Sequence, residues 1–223
     1  MNNEAINRKS KSIEILKQYG VPYIEHLPVI ETKDQVKIRT AEEIAKRAIS
    51  CLITIQMAFE HRSGEDIEGS RKFFMDLLKT FNVTDCLTKD ELHIFYGEPV
   101  MQDLINMTWR YEAYWVLLWA LGIVDNLSFP SDTCDCEFAI DSVAKHSSFD
   151  EFMESTTLRN IDEILDENDL IFRYNWACVD ARIKGQKTPA NLDSSVVIER
   201  HKALNWLIDF DNNDDWDNQS TNT

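Results

Sequence analysis

The strongest constraint on the fold of this chain is an uncharged, apolar run from Ala113 to Val124. Its 12 residues are too few to cross a bilayer, which takes about 20 residues. The run is the second half of a longer stretch, Val100 to Leu121, that is apolar on nearly all sides of a helix. Gly122 follows this stretch and is typical of a helix C-cap. The sequence therefore predicts a buried helix at the centre of a bundle.

Further helical patterns lie on both sides of this segment. Capping boxes at Thr40 with Glu43 and at Thr88 with Glu91 mark two helix starts. Only 6 glycines in 223 residues, together with 10% aromatic residues, favour helices over turn-rich β structure. Residues 138–145 fit a helix or a strand. Helices are predicted for residues 10–19, 40–59, 70–81, 88–97, 100–121, 161–184 and 196–208.

The one β-like pattern lies near the N-terminus. Residues 27–31 and 35–39 each alternate weakly around a polar turn, which is compatible with a small hairpin. Pro28 would restrict the first strand to a sheet edge. We predict a mainly α fold, a single-domain helical bundle that admits a short N-terminal β-hairpin. Its predicted parts are a flexible N-terminus (1–9), a helical domain (10–208) and an acidic C-terminal tail (209–223).

The charge balance narrows the classes of partner. The chain has 39 acidic and 23 basic residues, a net charge of −16. Binding to a nucleic-acid backbone depends on Lys and Arg, so we expect no nucleic-acid partner. No apolar segment follows the N-terminal basic residues, and five cysteines are an odd number in a chain of this length. We therefore expect a cytoplasmic protein with reduced thiols and no membrane attachment.

The predicted helix 161–184 carries a polar stripe whose members fall within about 60° of one another. One interpretation is a ridge for metal binding or acid–base chemistry, because crowded carboxylates shift one another's pKa. The other is a solvated face with ordinary ion pairs at i and i+4, and the sequence favours it. The stripe consists of Asp162, Asp166, Asp169, Arg173, Asp180 and Lys184.

Glu112 and Trp109 lie one helical turn apart on the central helix. Glu112 would face inward among aromatic residues, where an unpaired carboxylate is costly. Arg173 and Arg200 are candidate partners. Glu112 is then either a tuned general base or ligand, or one half of a buried Glu–Arg pair that joins two helices.

The last helix offers His201 and Asn205, which share one face, and Glu199 and Arg200, which point elsewhere. His201 is the best single candidate for proton transfer, because histidine titrates near neutral pH. The alternative is a packing residue beside Trp206. The chain has no recognisable nucleophile motif, phosphate loop or His-Glu-x-x-His, and we predict no metal site.

Ten short motifs are spread along the sequence from about residue 10 to the end. They lie at residues 20–22, 27–28, 38–47, 109–122, 158–159, 163–166, 169–176, 180–182, 197–207 and 216–217. In this order they resemble the motifs of a bacterial family catalogued as domain of unknown function 4272. The resemblance implies a cytoplasmic bacterial protein and does not imply any reaction. It includes seven of the polar candidates, Glu112, Asp166, Asp169, Arg173, Glu199, Arg200 and His201.

Two functional hypotheses follow from the sequence. The first, slightly favoured, is a protein-binding module for a basic partner, similar to an inhibitor or immunity protein. The second is a hydrolase or metal-dependent enzyme with a pocket between helices. Neither a cofactor nor an oligomeric state follows from the sequence. The catalytic candidates are Glu112, Asp166, Asp169, Arg173 and His201, and the binding candidates are Trp109, Glu199, Arg200 and Asn205.

Overall fold

The computed structural model describes residues 3–64, 66–210 and 213–223, which form nine α-helices and no strand. The prediction of a mainly helical fold is confirmed. Within these residues, no helix combines the length and the apolar character needed to cross a bilayer. The helices are α1 (Asn3–Tyr19), α2 (Ala41–Ser63), α3 (Ile67–Thr80), α4 (Lys89–Tyr96), α5 (Met101–Ala120), α6 (Cys136–Ala144), α7 (Phe149–Glu154), α8 (Ile161–Ile183) and α9 (Ser194–Leu207).

The chain divides into two compact units. Unit 1 contains α1, α8 and α9, and unit 2 contains α2 to α7. The single helical domain over residues 10–208 stays a prediction. Unit 1 consists of Met1–Arg39, Leu127–Thr133 and Arg159–Thr223, and unit 2 of Thr40–Asn126 and Cys134–Leu158.

Unit 2 is built on the packing of α2 against α5. The apolar sequence of α5 is buried, as the central-helix prediction requires. The predicted capping box starts α2, since the Glu43 amide donates to Thr40 Oγ1 at 3.2 Å and the Thr40 amide donates to Glu43 Oε2 at 2.7 Å. The segment that fitted a helix or a strand forms α6, which begins where the Phe138 amide donates to the side chain of Asp135.

In unit 1, α8 contacts both α1 and α9. The predicted hairpin over residues 27–39 is wrong, because the described residues there contain no strand. Cationic side chains satisfy the backbone carbonyls instead: Lys9 donates to Leu27 O at 2.7 Å and Arg173 to Pro28 O at 3.2 Å. These contacts take the place of a partner strand.

Helix α1 begins at Asn3, so the predicted helix start at residue 10 was too late. Arg8 explains the longer helix, because its side chain is buried and donates to Glu4 Oε1 and to Asp166 Oδ1 of α8, both at 3.0 Å. Residues 3–9 are therefore helical, although residues 1–9 were predicted to be flexible. Met1 and Asn2 lie outside the described residues.

The C-terminal segment packs on the helices of unit 1, to which it belongs, without forming a helix in its described residues, 213–223. Trp216 is buried, and its ring lies 5.2 Å from that of Trp206. The Asn205 side chain donates to Ser220 O and the Asn175 side chain donates to Thr221 O, each at 2.7 Å. The part of the predicted acidic tail at Asp211 and Asn212 lies outside the described residues.

Gly122 ends the turn after α5 with φ +72° and stands against the backbone of Thr157. A Cβ at this position would lie 2.7 Å from Thr157 O. We expect Gly122→Ala to lower the free energy of unfolding by about 2 kcal/mol, from the left-handed conformation and the displaced carbonyl together. Gly64→Ala is the control, since Gly64 has φ +72° and nothing within 4 Å of the added Cβ. Urea unfolding measures the loss of unfolding free energy in both variants. An equal loss in the two would contradict the role of Thr157.

Candidate functional site

The polar stripe of α8 is largely paired. Arg173 donates to both carboxylate oxygens of Asp169 at 2.7 Å, and both side chains are almost fully buried. Lys184 and Asp180 form a second pair at 2.7 Å on the surface. The i, i+4 pairs expected from spacing are therefore present, and the first is buried rather than solvated.

Asp166, another member of the stripe, is also paired. Its Oδ1 accepts from Arg8 Nε at 3.0 Å, and its Oδ2 lies 3.3 Å from Lys11 Nζ. Asp162 lies 3.9 Å from both Arg8 and Lys33. Across residues 3–64, 66–210 and 213–223, no group of three or more His, Cys, Asp or Glu side chains is arranged to hold a metal ion.

Glu112 and Trp109 belong to α5, in unit 2. Glu112 is buried, and its Oε1 accepts from the Cys134 amide at 2.5 Å. This contact ties α5 to the residues that precede α6. The predicted pair of Glu112 with Arg173 or Arg200 joins residues of different units and stays a prediction. Trp109 is partly exposed.

His201 and Asn205 are both buried on α9. Burial lowers the pKa of His201 to about 3, so its ring is neutral at pH 7. Its ring contacts Phe172, with 6.2 Å between centroids. Asn205 Oδ1 accepts from the buried Asn168 side chain at 2.8 Å, and its amide group holds the C-terminal segment. A proton-transfer role for His201 stays a prediction, and a neutral, desolvated ring is a weak base.

Glu199 and Arg200 are buried next to each other in sequence but have different contacts. Glu199 Oε1 lies 2.6 Å from Lys202 Nζ on the same helix. Arg200 Nη1 donates to Ser128 O at 2.7 Å, which holds residues 127–133 of unit 1 to α9. Arg200, one of the predicted binding residues, also lines a cavity.

This cavity, which we call the Glu167 cavity, has a volume of about 110 Å³ and lies within unit 1. Its walls come from α1, α8, α9 and residues 127–130. The rings of Tyr19 and Phe129 stack 4.5 Å apart, and Phe129 meets the Tyr174 ring edge-on at 5.5 Å. Tyr19 is about half exposed, so the aromatic wall reaches the surface.

Glu167 is the ionisable group of α8 that sequence reasoning missed. Burial raises the pKa of its carboxyl to about 7, although the nearby Arg200 guanidinium acts in the opposite direction. Within the residues described, the Glu167 side chain makes no hydrogen bond or ion pair. The sequence does contain one signal for Glu167, its helical spacing from apolar and aromatic residues. Leu170, Ile171 and Tyr174 follow it at i+3, i+4 and i+7, on the same helix face.

Unit 2 carries a group of acidic side chains on and next to helices α6 and α7, which we call the α6–α7 acidic surface. Its six carboxylates are exposed, and none forms an ion pair within the part of the chain that the structure describes. Phe138, between Asp135 and Asp141 on the same stretch of sequence, is 42% exposed, and its ring lies 5.8 Å from the Trp115 ring. The six residues are Asp135, Glu137, Asp141, Asp150, Glu151 and Glu154.

The net charge is unevenly divided between the units. Unit 2 has 20 acidic and nine basic residues, which gives −11. Unit 1 has 19 acidic and 14 basic residues, which gives −5. Within unit 2, Lys145 is the single basic residue between positions 134 and 154. The charge that sequence reasoning assigned to the whole chain is therefore concentrated in unit 2.

Comparison with known proteins agrees with the resemblance seen in the motifs. The sequence profile of the family described as Domain of unknown function (DUF4272) matches residues 8–219, which confirms that resemblance. Comparison with curated proteins and with solved structures gives no match. The family description names no activity, so any function has to be inferred from the geometry.

Proposed function

The chain belongs to the DUF4272 family, and we propose that it is a protein-binding module that receives a basic protein at the α6–α7 acidic surface. The observation that carries this proposal is the set of six exposed carboxylates that form no ion pair in the described residues. Exposed carboxylates without a cationic partner in the same chain attract the lysines and arginines of a basic protein. The module would then act as an inhibitor or an immunity-like protein.

The contrast with α8 supports this choice of surface. Asp166, Asp169 and Asp180 each have a cationic partner within the chain, so little of their charge is left for a second protein. Asp141 and Glu154 have none in the described residues. Charge on α6 and α7 is therefore available to steer a partner and to pair with its lysines and arginines.

Phe138 adds an apolar contact at the same place. It is exposed on α6, between Asp135 and Asp141 in the sequence, and its ring is supported edge-on by Trp115. Aromatic residues surrounded by polar ones are common energetic centres of protein interfaces. A partner with an apolar side chain ringed by basic residues would match this arrangement.

The setting we propose is the cytoplasm of a bacterium, with no nucleic-acid partner. All five cysteines are free thiols, which supports a reducing compartment. The acidic surface supports the choice of a basic protein over nucleic acid, because a polyanion would be repelled.

The test is capture of partners from the native host with three forms of the protein. Asp141→Lys/Glu154→Lys reverses two charges of the surface away from helix N-termini, and Glu14→Lys/Glu98→Lys makes the same charge change at exposed positions elsewhere. We expect the wild type and the control to retain the same basic protein at low salt. The α6–α7 variant should bind the purified partner at least about tenfold more weakly.

Calorimetry with the purified partner gives the decisive numbers. The expected result is one partner per chain, with an affinity that falls as salt rises because exposed charges are screened. Absence of any stoichiometric partner at low salt, or equal retention by all three forms, would reject the α6–α7 acidic surface as the binding site.

A further inference from the structure

The Glu167 cavity is separate in chemistry from the acidic surface of unit 2. Its lining contains the Glu167 carboxyl group, which makes no hydrogen bond in the described residues, and a wall of aromatic rings. Its volume of about 110 Å³ is about three-quarters of the roughly 150 Å³ of a cavity that accepts a benzene ring, and it reaches the surface beside the half-exposed Tyr19. The size therefore suits no more than a single ring.

The Glu167 carboxyl group determines which hydrogen-bonding groups a ligand of this cavity must carry. A protonated carboxyl presents an O–H donor beside a carbonyl acceptor. A molecule with a ring nitrogen next to an amino group presents the matching acceptor and donor, so that two parallel hydrogen bonds can form. The raised pKa of Glu167 keeps a large fraction of the carboxyl protonated at neutral pH.

The surrounding groups favour an uncharged molecule. Arg200 of α9 lines the same cavity and would repel a cation. The other ionisable groups around it are Tyr174 of α8 and Tyr19 of α1, and burial raises the pKa of Tyr174 far above neutrality. Asp166 and Arg159 act on Glu167 from a distance and in opposite directions.

The aromatic wall matches the flat faces of such a ring. Phe129 stacks on Tyr19 and meets Tyr174 edge-on, and all three rings line the cavity. Aromatic pairs favour these offset and edge-on arrangements. Leu170, Ile171 and Leu204 add apolar side chains to the lining.

From this arrangement we propose that the Glu167 cavity binds an uncharged, single-ring amino-heteroaromatic molecule, held by two hydrogen bonds to the Glu167 carboxyl and by the rings of Phe129 and Tyr174. This site lies in unit 1 and does not depend on the function proposed for unit 2.

The probe for the experiment is 2-aminopyrimidine, and the matched probe is aniline, which has the same ring size but no ring nitrogen. Binding is followed by chemical-shift changes of the full-length protein at pH 6 and pH 8.5. We expect saturable binding of 2-aminopyrimidine on the order of 1 mM or tighter, as suits so small a ligand. Aniline should bind at least several-fold more weakly, and the affinity for 2-aminopyrimidine should fall about tenfold at pH 8.5, where the carboxyl has lost its proton.

Two substitutions of Glu167 separate hydrogen bonding from packing. Glu167→Met keeps the size but removes both hydrogen bonds, so 2-aminopyrimidine should bind at least tenfold more weakly while aniline changes little. Glu167→Gln retains a donor beside an acceptor, so it should keep the affinity and lose the pH dependence. Glu14→Met, at an exposed position of α1, is the control and should change neither.

Three results would overturn the proposal. They are equal affinity of the wild type for the two probes, unchanged affinity of Glu167→Met for 2-aminopyrimidine, and absence of saturable binding at pH 6. The carbon resonance of the Glu167 carboxyl in the wild type gives an independent readout, because it should shift as 2-aminopyrimidine is added. The Asp141→Lys/Glu154→Lys variant should bind the probe normally, which separates this site from the protein-binding surface.

Discussion

Replacing Asp169 by asparagine is expected to lower the free energy of unfolding by about 3–5 kcal/mol, because it leaves the buried Arg173 guanidinium without its counter-charge. Both side chains are almost fully buried, and two hydrogen bonds of 2.7 Å join them. Arginine cannot lose its proton to escape the penalty. Urea-induced unfolding followed by circular dichroism measures the effect.

The matched control lies on the same helix. Asp180→Asn removes a pair of the same i, i+4 spacing, but Asp180 and Lys184 are on the surface, where such pairs contribute about 0.3–0.5 kcal/mol. A similar loss in both variants would contradict the role of burial. The double variant Asp169→Leu/Arg173→Met should recover most of the stability, because it removes both buried charges together.

This pair also shows what spacing in a sequence can predict and what it cannot. The helical period places Asp169 and Arg173 one turn apart, so the ion pair was expected. Their burial depends on α1 and α9, which pack on α8 from distant parts of the chain. Arg8 illustrates the distance involved, since it lies 158 positions before Asp166 in the sequence. No local pattern contains that information.

Local rules predicted the elements that local interactions determine. The central helix α5 follows from its apolar run, and the start of α2 follows from a capping box whose two hydrogen bonds are both present. The prediction of a hairpin over residues 27–39 was wrong because contacts with distant helices determine the structure of this segment. Its alternation is weak, and side chains from α1 and α8, including Lys9 and Arg173, satisfy its carbonyls.

The candidate sites were predictable only in part. Net charge indicated a basic partner, but the sequence did not separate the paired carboxylates of α8 from the unpaired ones of Asp141 and Glu154. Glu167 was missed because the polar stripe was read as one face. Its neighbours at i+3, i+4 and i+7 are apolar or aromatic, and it is these that line the cavity. Three helices and a connecting segment form the cavity together, so the sequence pattern of no single segment predicts it.

The buried His201 is expected to make the free energy of unfolding depend strongly on pH. Its pKa is about 6.5 in the unfolded chain and about 3 in the folded protein, because the ring is fully buried. Below pH 6.5 the unfolded state binds a proton that the folded state does not, so stability falls as the pH drops toward 3. The contribution of His201 to this loss is about 5 kcal/mol in total, of which about 2–3 kcal/mol is lost by pH 4.5.

The variant His201→Leu removes the titrating ring and should remove this share of the pH dependence. The difference in unfolding free energy between wild type and variant should therefore shrink by about 2–3 kcal/mol from pH 7 to pH 4.5, in urea titrations at each pH. Phe172→Leu is the control, since it removes the aromatic contact of His201 without removing a titrating group. Its cost should be the same at both pH values. If the His201→Leu difference were also independent of pH, the buried ring would have to take up a proton as readily as it does in the unfolded chain.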